Sequence, residues 1–356
     1  MRLGMPICLL LFVLIVSAGI QEWSSHRRLA GASSPVPLRT SLLTASSTDV
    51  AIPTVIDRVS TSTAPSVARI LFVGDIMLDR NVARRTREAK DPAYPFRQLP
   101  VGWFDTFDYA VANLEGPVTD KHRSPEKSID FLFDPSVISV LKAQGIDAVS
   151  QANNHALDQG SPGYEDSVRR LREAGLLVFG HQVQDDAIAL ATTTVHGVRL
   201  ALLGFNTTDH RMDRIAAAQV IHEARTQADW VVVSMHWGAE YRHTPPPDVV
   251  DQAHWLIDQG VDIVIGGHPH WVQGMERYKG KPIIYSLGNF IFDQDFSQET
   301  REGMAVELQL DGNTMRVIPW PLFIDKSQPR LLTDDDRQKR LEALASYGDP
   351  ELKEEV

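Results

Sequence analysis

The sequence predicts an α/β fold. Between residues 68 and 325, short apolar runs that are typical of buried strands alternate with segments that have the pattern of helices. Most of the apolar runs end at polar residues, as expected where parallel strands present functional side chains at one edge of a sheet. A hydrophobic fraction of 43% and a charged fraction of 23% are typical of one large globular domain, or two small ones, with appendages.

Seven apolar runs are predicted strands. In chain order they are ILFVGD, YAVANLEG, DAVSQANNH, LALLGFN, WVVVSMHWG, DIVIGGHPH and PIIYSLGNF. Continuous apolar runs of this kind are typical of strands that are buried on both faces of a sheet. Near the end of the chain the alternation stops, because MAVELQLDGNTMRVIPW contains two alternating strands on either side of Asp311-Gly312-Asn313. That pattern predicts a β-hairpin.

Four segments between the strands are predicted helices. Residues 134–144 begin with Asp-Pro, and GYEDSVRRLREAG ends at a glycine that is typical of a helix C-cap. Two others, DRIAAAQVIHEARTQA and PDVVDQAHWLIDQG, are amphipathic. Residues 326–356, which include DDDRQKRLEALASYGDPELKEEV, predict a charged and partly helical tail.

The first residues have the pattern of an export signal. An apolar run over residues 7–20 is shorter than the ~20 residues that a membrane span needs. Residues 16–18, Val-Ser-Ala, have the spacing of a cleavage site, so we interpret residues 1–20 as a signal peptide, with an uncleaved N-terminal membrane anchor as the alternative. Residues 21–67 are rich in Ser, Thr, Ala and Pro without a period, which predicts a flexible linker. We therefore expect an exported protein that is secreted or held at the cell surface.

Charge and cysteine content limit the classes of ligand. The formal net charge of -11 argues against nucleic-acid binding, because proteins that follow phosphate backbones normally present a basic face. An anionic ligand would need a local basic or metal site. The single cysteine, Cys8, lies in the apolar N-terminal run, so the exported domain has neither a disulfide nor a thiolate metal ligand.

Polar side chains follow the ends of five predicted strands. They are Asp75, Asn113 with Glu115, Asn154 with His155, His236, and His268 with His270. Because the ends of parallel strands lie at one edge of a sheet, these side chains are expected to converge. Carboxylate oxygen together with neutral imidazole nitrogen suits Zn, Mn or Fe, whereas an all-oxygen set would suit Mg or Ca. The pattern predicts a metal site.

Each of these residues alone also has an ordinary structural explanation. Asp75 is at a position where many proteins have a turn or helix-capping residue. His236, next to Trp237, is compatible with a packed core histidine, and Asn154 with His155 is compatible with a surface loop. The GGHPH sequence is more specific, because residues i and i+2 beyond a strand can direct both imidazoles at one centre while the glycines permit close backbone approach.

Six spaced motifs resemble the CapA family of poly-γ-glutamate capsule synthesis proteins, whose domain is related to calcineurin-like metallophosphoesterases. The motifs are GDIMLDR, ANLEGPVTD, AVSQANNHALDQG, VVSMHWGAEY, IGGHPHWVQG and IIYSLGNFIFD, and the resemblance covers residues 68 to 295. It implies two packed β-sheets flanked by helices, a four-layer sandwich over residues 68–325, with a site for two divalent metal ions (Mn, Zn or Fe) at the strand ends.

The resemblance also implies roles for individual residues. As metal ligands it implies Asp75, Asn154, His236, His268 and His270, with Glu115 at about the place of a bridging aspartate. The related superfamily's first motif is Asp-x-His, whereas this chain has Met77 two residues after Asp75, and a thioether is a poor ligand for a hard cation. One metal position is therefore expected to be weak, empty or completed by another residue such as Asn113.

Three residues are predicted to take part in catalysis, namely His155, Asp158 and Arg80. His155 is a candidate acid for the leaving group, and Asp158, three residues later, either orients it or caps a helix or turn. Arg80 lies in the basic sequence DRNVARRTREAK, and Lys127 lies in SPEKSIDFLF. These basic residues predict binding of a polyanion or phosphate ester, with a solvated helix face as the alternative.

The other candidates for substrate binding are Asn113, Ser286 and Asn289. Ser286 and Asn289 belong to SLGNF, which either closes the floor of the pocket by backbone contacts or forms an ordinary strand-end turn.

The functional hypothesis combines the residues with the resemblance. Residue types and spacing predict metal-assisted hydrolytic chemistry. The resemblance adds a γ-glutamyl or other anionic surface polymer as substrate and a membrane synthesis or export complex as partner. We therefore predict a cell-surface CapA-like hydrolase or transferase. The alternatives are a metal-dependent phosphoesterase and a non-catalytic subunit that binds the polymer, the latter favoured by Met77.

Overall fold

The computed structural model describes residues 67–348. Residues 1–66 and 349–356 are outside this range, and with them lie the predicted signal peptide or anchor, nearly all of the predicted linker and the last part of the predicted tail. Between residues 67 and 348, none of the helices is both long enough and apolar enough to span a bilayer.

The described residues form 14 strands and six α-helices. The strands are β1 (Ala68–Ile76), β2 (Tyr109–Leu114), β3 (Ala148–Ser150), β4 (Leu177–Phe179), β5 (Leu190–Val195), β6 (Val198–Asn206), β7 (Trp230–His236), β8 (Ile263–Gly267), β9 (Met275–Tyr278), β10 (Lys281–Ile284), β11 (Asn289–Ile291), β12 (Glu302–Asp311), β13 (Thr314–Asp325) and β14 (Gln328–Leu331). The helices are α1 (Arg80–Ala89), α2 (Val137–Ala143), α3 (Gly160–Glu173), α4 (Arg214–Gln227), α5 (Pro247–Asp258) and α6 (Asp334–Tyr347). Each segment predicted as a strand or helix overlaps at least one of these elements.

The strands form two sheets. The first has eight strands in the order β14-β13-β12-β1-β2-β3-β4, with β11 pairing in parallel with the end of β1. Its strands β1 to β4 are parallel, whereas β12, β13 and β14 are antiparallel to their neighbours. The second sheet has six strands in the order β5-β6-β7-β8-β10-β9, of which the central four are parallel.

The two sheets pack face to face with helices on both outer sides. Ile70 of β1 lies in an apolar cluster with Leu202 of β6 and Val232 of β7. The next residue, Leu71, lies on the opposite face in a cluster with Ile138 of α2. A third cluster joins the outer face of the second sheet to α4 and α5. Successive residues of β1 therefore point into different apolar clusters, as expected for a strand that is buried on both faces. The predicted α/β class, with two packed sheets flanked by helices, is confirmed.

The carboxy-terminal strands extend the first sheet. β12 and β13 form the predicted hairpin, with Asp311 opposite Thr314 and Gly312 in the left-handed region at a φ of 47°. β14 then pairs with β13, and Leu344 of α6 is buried in the cluster between the sheets. The folded domain therefore continues beyond residue 325, where the sequence predicted a charged tail to begin. Leu344 is the buried residue of this polar helix, so its sequence has too weak an apolar pattern to predict packing.

The segment PIIYSLGNF, predicted as one strand, is divided between the two sheets. β10 belongs to the second sheet and β11 to the first. Between them Gly288 has a φ of 64°, and its carbonyl oxygen accepts a hydrogen bond from the backbone N–H of Asp75 at 3.1 Å. A Cβ on Gly74 would lie 2.1 Å from the same carbonyl oxygen, so the crossing depends on glycine at residue 74. The crossing segment therefore lies directly beneath Asp75.

Candidate metal centre

The polar strand ends of both sheets meet at one place. Asp75 and Asn113 belong to β1 and β2, and His236 ends β7. The other predicted site residues lie in the loops that follow β2, β3 and β8; they are Glu115, Asn154, His155, His268 and His270. The sheets are joined directly here, because the backbone N–H of His268 donates a hydrogen bond to Asp75 Oδ2 at 3.2 Å. The structure thus brings the predicted ligands together.

Asp75 is fully buried within this group. Its Oδ1 accepts a hydrogen bond from Asn113 Nδ2 at 2.8 Å, and its Oδ2 lies 3.6 Å from His270 Nδ1. Burial raises the pKa of Asp75 to about 6, although hydrogen bonds from Asn113 and His268 oppose the rise. A buried carboxylate among neutral donors lacks a counter-charge, and a cation would provide one.

Glu115 has an unsatisfied side chain. It is buried, and neither carboxylate oxygen accepts a hydrogen bond from an N–H or hydroxyl group within the described part of the chain, so its one hydrogen-bonding alternative is a proton shared with Asp75. Its Oε1 lies 3.9 Å from His155 Nε2 and 4.0 Å from His236 Nε2. Burial, together with the charge of Asp75, raises the pKa of Glu115 well above its usual value. Without a cation, a proton on one of the two carboxyl groups would be needed to relieve their repulsion.

Three histidines of the group are neutral imidazoles. Burial lowers the pKa of His268 to about 4 and that of His270 to about 3, and it lowers the pKa of His236 well below its usual value. His236 Nε2 lies 2.9 Å from Asn154 Oδ1, and among the described residues nothing hydrogen-bonds to the buried Nδ1 of His268. His270 Nδ1 lies 2.9 Å from Asn289 Oδ1, an arrangement in which Nδ1–H donates and Nε2 carries the lone pair.

These side chains fit divalent cations. Ligand atoms of Asp75, Glu115 and His270 lie within 4.8 Å of one another. The ring centroids of His236 and His268 lie 4.9 Å apart, and His236 Nε2 lies 4.0 Å from Glu115 Oε1. Glu115 is therefore close to two groups of donors, Asp75 with His270 and His236 with His268. Carboxylate, amide and imidazole donors together suit Zn, Mn or Fe. Unsatisfied atoms on Glu115 and His268 favour a bound cation over a polar cluster that is complete by itself.

The GGHPH loop has an unusual backbone conformation. His268 and His270 have positive φ angles of 89° and 56°. A Cβ on Gly266 would lie 2.0 Å from a neighbouring carbonyl oxygen, and a Cβ on Gly267 would lie 2.7 Å from Asp75 Oδ1. Glycine is required at both positions because the backbone approaches its neighbours so closely. Positive φ at two histidines costs free energy, and strain of this kind is common at functional sites.

His155 lies beside the ligands and is oriented by Asp158. His155 Nδ1 is 2.6 Å from Asp158 Oδ2, and the imidazole packs on the ring of Phe131 with 4.1 Å between centroids. The same Asp158 oxygen accepts a hydrogen bond from the Phe131 backbone N–H at 2.8 Å. His155 Nε2 is thereby directed towards Glu115. The predicted pairing of His155 with Asp158 is therefore present, and it places a ring nitrogen at the centre.

Lys127 and Asn113 support other site residues. Lys127 Nζ donates a hydrogen bond to Asp158 Oδ1 at 2.9 Å and another to the Asn154 carbonyl oxygen. Asn113 Nδ2 donates to Asp75, and its Oδ1 accepts from Asn153 Nδ2 at 3.0 Å. Both ends of the Asn113 amide are therefore engaged with protein groups. These contacts favour a positioning role over the substrate-binding role that the sequence predicted.

Ser286 and Asn289 lie beneath the centre. Both side chains are fully buried. The Ser286 hydroxyl accepts a hydrogen bond from the Gly288 backbone N–H at 3.1 Å, and Asn289 Nδ2 donates to the Thr300 carbonyl oxygen at 3.0 Å. The predicted substrate contact does not fit this burial, because a polymer cannot reach either side chain. Asn289 instead orients the ring of His270.

Arg80 lies beside the centre and is partly exposed. It begins α1 with a φ of 50°, and its Nε donates to Asp293 Oδ2 at 3.1 Å. Its guanidinium lies over the rings of Phe131 and Phe292, 5.2 and 5.9 Å from their centroids. Other arginines of α1 form surface ion pairs, Arg84 with Glu88 and Arg85 with Asp295. Of the basic segment, Arg80 is therefore the residue held next to the ligands.

Sequence reasoning missed three polar residues of the site, which are Asn153, Glu240 and Asp293. Asn153 precedes a predicted ligand and Asp293 ends the last motif, so adjacency was the available signal. Glu240 lies four residues after His236, and its Oε1 is 3.9 Å from His270 Nε2. Glu240 lies within the fourth motif, VVSMHWGAEY, but its contact with His270 could not be predicted because that contact depends on two loops from different strands.

Several known proteins are similar to this chain. A family model described as Bacterial capsule synthesis protein PGA_cap matches residues 69–294. The chain is 32% identical over 290 residues to the PGA biosynthesis protein CapA of Bacillus subtilis (strain 168), covering 76% of this chain and 75% of that protein. It is 32% identical over 288 residues to the capsule biosynthesis protein CapA of Bacillus anthracis, covering 74% and 69%. A putative 5'-nucleotidase from Staphylococcus aureus aligns in structure with a TM-score of 0.43 and 16% identity, over 79% of this chain and 58% of that one. The chain belongs to the PGA_cap family of bacterial capsule synthesis proteins.

Proposed function

We propose that this protein is a metal-dependent hydrolase or transferase that acts on a γ-glutamyl or other anionic surface polymer during capsule synthesis. The observation that carries the proposal is the buried carboxylate of Glu115, whose two oxygens lack partners within residues 67–348. A purely structural polar cluster satisfies its buried carboxylates, whereas a metal ligand needs the cation for that purpose.

The ligands would hold two divalent cations, and Glu115 lies near the donors of both groups. The residues that would hold Mn, Zn or Fe are Asp75, Glu115, Asn154, His236, His268 and His270. The lowered pKa values of His236, His268 and His270 keep these imidazoles neutral near pH 7. They can therefore bind a cation without first losing a proton. Bound divalent cations supply Lewis acidity that polarises the scissile bond.

His155 is the proposed proton donor to the leaving group. The hydrogen bond between Nδ1 and Asp158 fixes the ring, so that Nε2 faces Glu115 and the space beside it. Phe131 covers one face of the imidazole and excludes water from that side. Hydrolysis of a γ-glutamyl amide adds the hydroxyl of water to the acyl carbon and requires a proton on the departing amine, which His155 Nε2 would donate.

The substrate and the cellular setting rest on the family. The two Bacillus relatives are called PGA and capsule biosynthesis proteins. The guanidinium of Arg80, held beside the ligands by Asp293, supports an anionic substrate there. The apolar N-terminal sequence supports export to the cell surface, where a membrane synthesis or export complex is the proposed partner.

Metal content tests the first part of the proposal. After reconstitution with Mn or Zn and removal of free metal, elemental mass spectrometry should find about two ions per chain, as in other two-metal hydrolytic sites. The double variant His268→Ala with His270→Ala should lose most of this metal, because each position loses an imidazole ligand. His254→Ala is the matched control, since His254 pairs with Glu276 away from the centre. A parent protein that retains no metal would contradict the proposal.

Turnover assays test the second part. The metal-loaded protein should cleave or transfer γ-glutamyl peptides, and the metal-free protein should not, because the scissile bond is not polarised without the cation. A parallel set of phosphate mono- and diesters identifies the alternative activity. If the protein cleaves phosphoesters alone, its substrate is a phosphoester and not a γ-glutamyl polymer. Bound metal without turnover of either substrate class would support the alternative of a non-catalytic subunit that binds the polymer.

A further inference from the structure

One cation position lacks a ligand that the family resemblance leads one to expect. Asp75, Glu115 and His270 can share a cation, but Met77 stands where the related motif has histidine. Met77 is fully buried in the apolar cluster between the first sheet and its helices, and its sulfur accepts a hydrogen bond from the Asp79 backbone N–H at 3.1 Å. Met77 is therefore a core residue that cannot turn towards the centre.

Asn113 does not readily replace the missing ligand. Its Nδ2 donates to Asp75 at 2.8 Å, and its Oδ1 accepts from Asn153 at 3.0 Å. Turning the Asn113 oxygen towards a cation would break both hydrogen bonds and would remove the donor that holds Asp75 in place. Another residue must therefore complete this position.

Glu240 lies on the open side of the same group. Its carboxylate Oε1 is 3.9 Å from His270 Nε2, and its side chain is 43% exposed. Two ligands of one cation lie about 3 Å apart when each bond is about 2 Å long. A side-chain rotation that moves Glu240 Oε1 about 1 Å towards His270 Nε2 would reach this distance.

The backbone holds Glu240 at this place. The next residue, Tyr241, has a φ of 61°, and its backbone N–H donates to the carbonyl oxygen of Pro269 at 2.9 Å. The Tyr241 ring stacks on His270 with 6.1 Å between centroids. Because Pro269 lies between the two histidines of the GGHPH loop, the Glu240 loop is attached to the ligand loop itself. Glu240 thus stays near His270 although its side chain is exposed.

We infer that Glu240 is a ligand of the cation shared by Asp75, Glu115 and His270, in the place that the Asp-x-His motif leaves open at Met77. This inference rests on the metal binding in the proposed function. It also lowers the excess positive charge, because three carboxylates instead of two then face two divalent cations.

The test compares the metal affinity of Glu240→Gln with that of Asp209→Asn, because each variant removes one negative charge. Glu240→Gln keeps the shape but removes the anionic ligand, so chelator competition should show at least about a tenfold loss of affinity at one position. Elemental mass spectrometry after dialysis should then find one ion retained per chain. Glu240→His, which restores a competent ligand, should retain the second ion when Zn is used.

Asp209→Asn is the control for charge alone. Asp209 is 37% exposed, and its charge acts on His268, yet its carboxylate is hydrogen-bonded by Asn206 and Gln182 at 2.6 Å each. Affinity unchanged in Asp209→Asn but lowered in Glu240→Gln supports direct ligation. Equal losses in both variants, or no loss in Glu240→Gln, would overturn the inference while leaving the proposed function standing. Absence of metal from the parent protein would overturn both.

Discussion

Replacing His155 with alanine is expected to lower kcat by about 10²–10⁴-fold while the bound metal stays unchanged. His155 Nδ1 is engaged with Asp158, and its Nε2 lies 3.9 Å from Glu115, a distance that suits a proton donor to a substrate bound between them. The ligand atoms of Asp75, Glu115 and His270 do not depend on His155. Steady-state kinetics on the substrate found by the assays, together with elemental mass spectrometry, measures both quantities.

The outcomes of this experiment separate three roles for His155. A rate equal to that of the parent would remove His155 from the mechanism. Loss of metal together with rate would make it a ligand. Loss of rate alone, with His254→Ala unchanged, supports the proton donor. Asp158→Asn should lower kcat less than His155→Ala, because the ring remains present but is no longer held by a carboxylate.

Much of the fold could be predicted because most strands are buried on both faces. A strand such as β7, WVVVSMH, reads as a nearly continuous apolar run, which is typical of a strand that is buried on both faces. Periodicity does not say to which sheet a strand belongs. PIIYSLGNF therefore looked like one strand, although its two halves pair with β8 in one sheet and β1 in the other.

The ligands could be predicted because they directly follow strands whose ends must meet. Asp75, His236 and His268 are fixed in this way by their own strands. Supporting contacts are different, since they depend on how loops pack. Lys127 reaches Asp158 across 31 residues, and Glu240 reaches His270 from another loop. No local pattern in the sequence records such pairings.

An ion pair joins α6 to the first strand of the hairpin. Arg340 Nη2 contacts Glu302 Oε1, and the two side chains are only 15% and 8% exposed. Gln298 Nε2 donates to the same carboxylate oxygen at 2.8 Å. At the end of α6, the ring of Tyr347 stacks on His243 with 4.4 Å between centroids, and His243 belongs to the loop that also carries Glu240. α6 therefore contacts both the sheet and a loop of the candidate centre.

Replacing Arg340 with alanine is expected to lower the free energy of unfolding by about 3 kcal/mol, because it leaves the Glu302 carboxylate buried without its cation. Urea unfolding measures this change. Lys339→Ala is the matched control. Lys339 is 74% exposed, and its Nζ lies as far as 4.0 Å from Asp336 Oδ1, so the loss of this weak ion pair should have little effect. Adding Glu302→Gln to Arg340→Ala should recover part of the loss, because the uncompensated charge is then absent. If Arg340→Ala is as stable as Lys339→Ala, the ion pair does not hold α6 on the domain, and the burial of Leu344 does so without it.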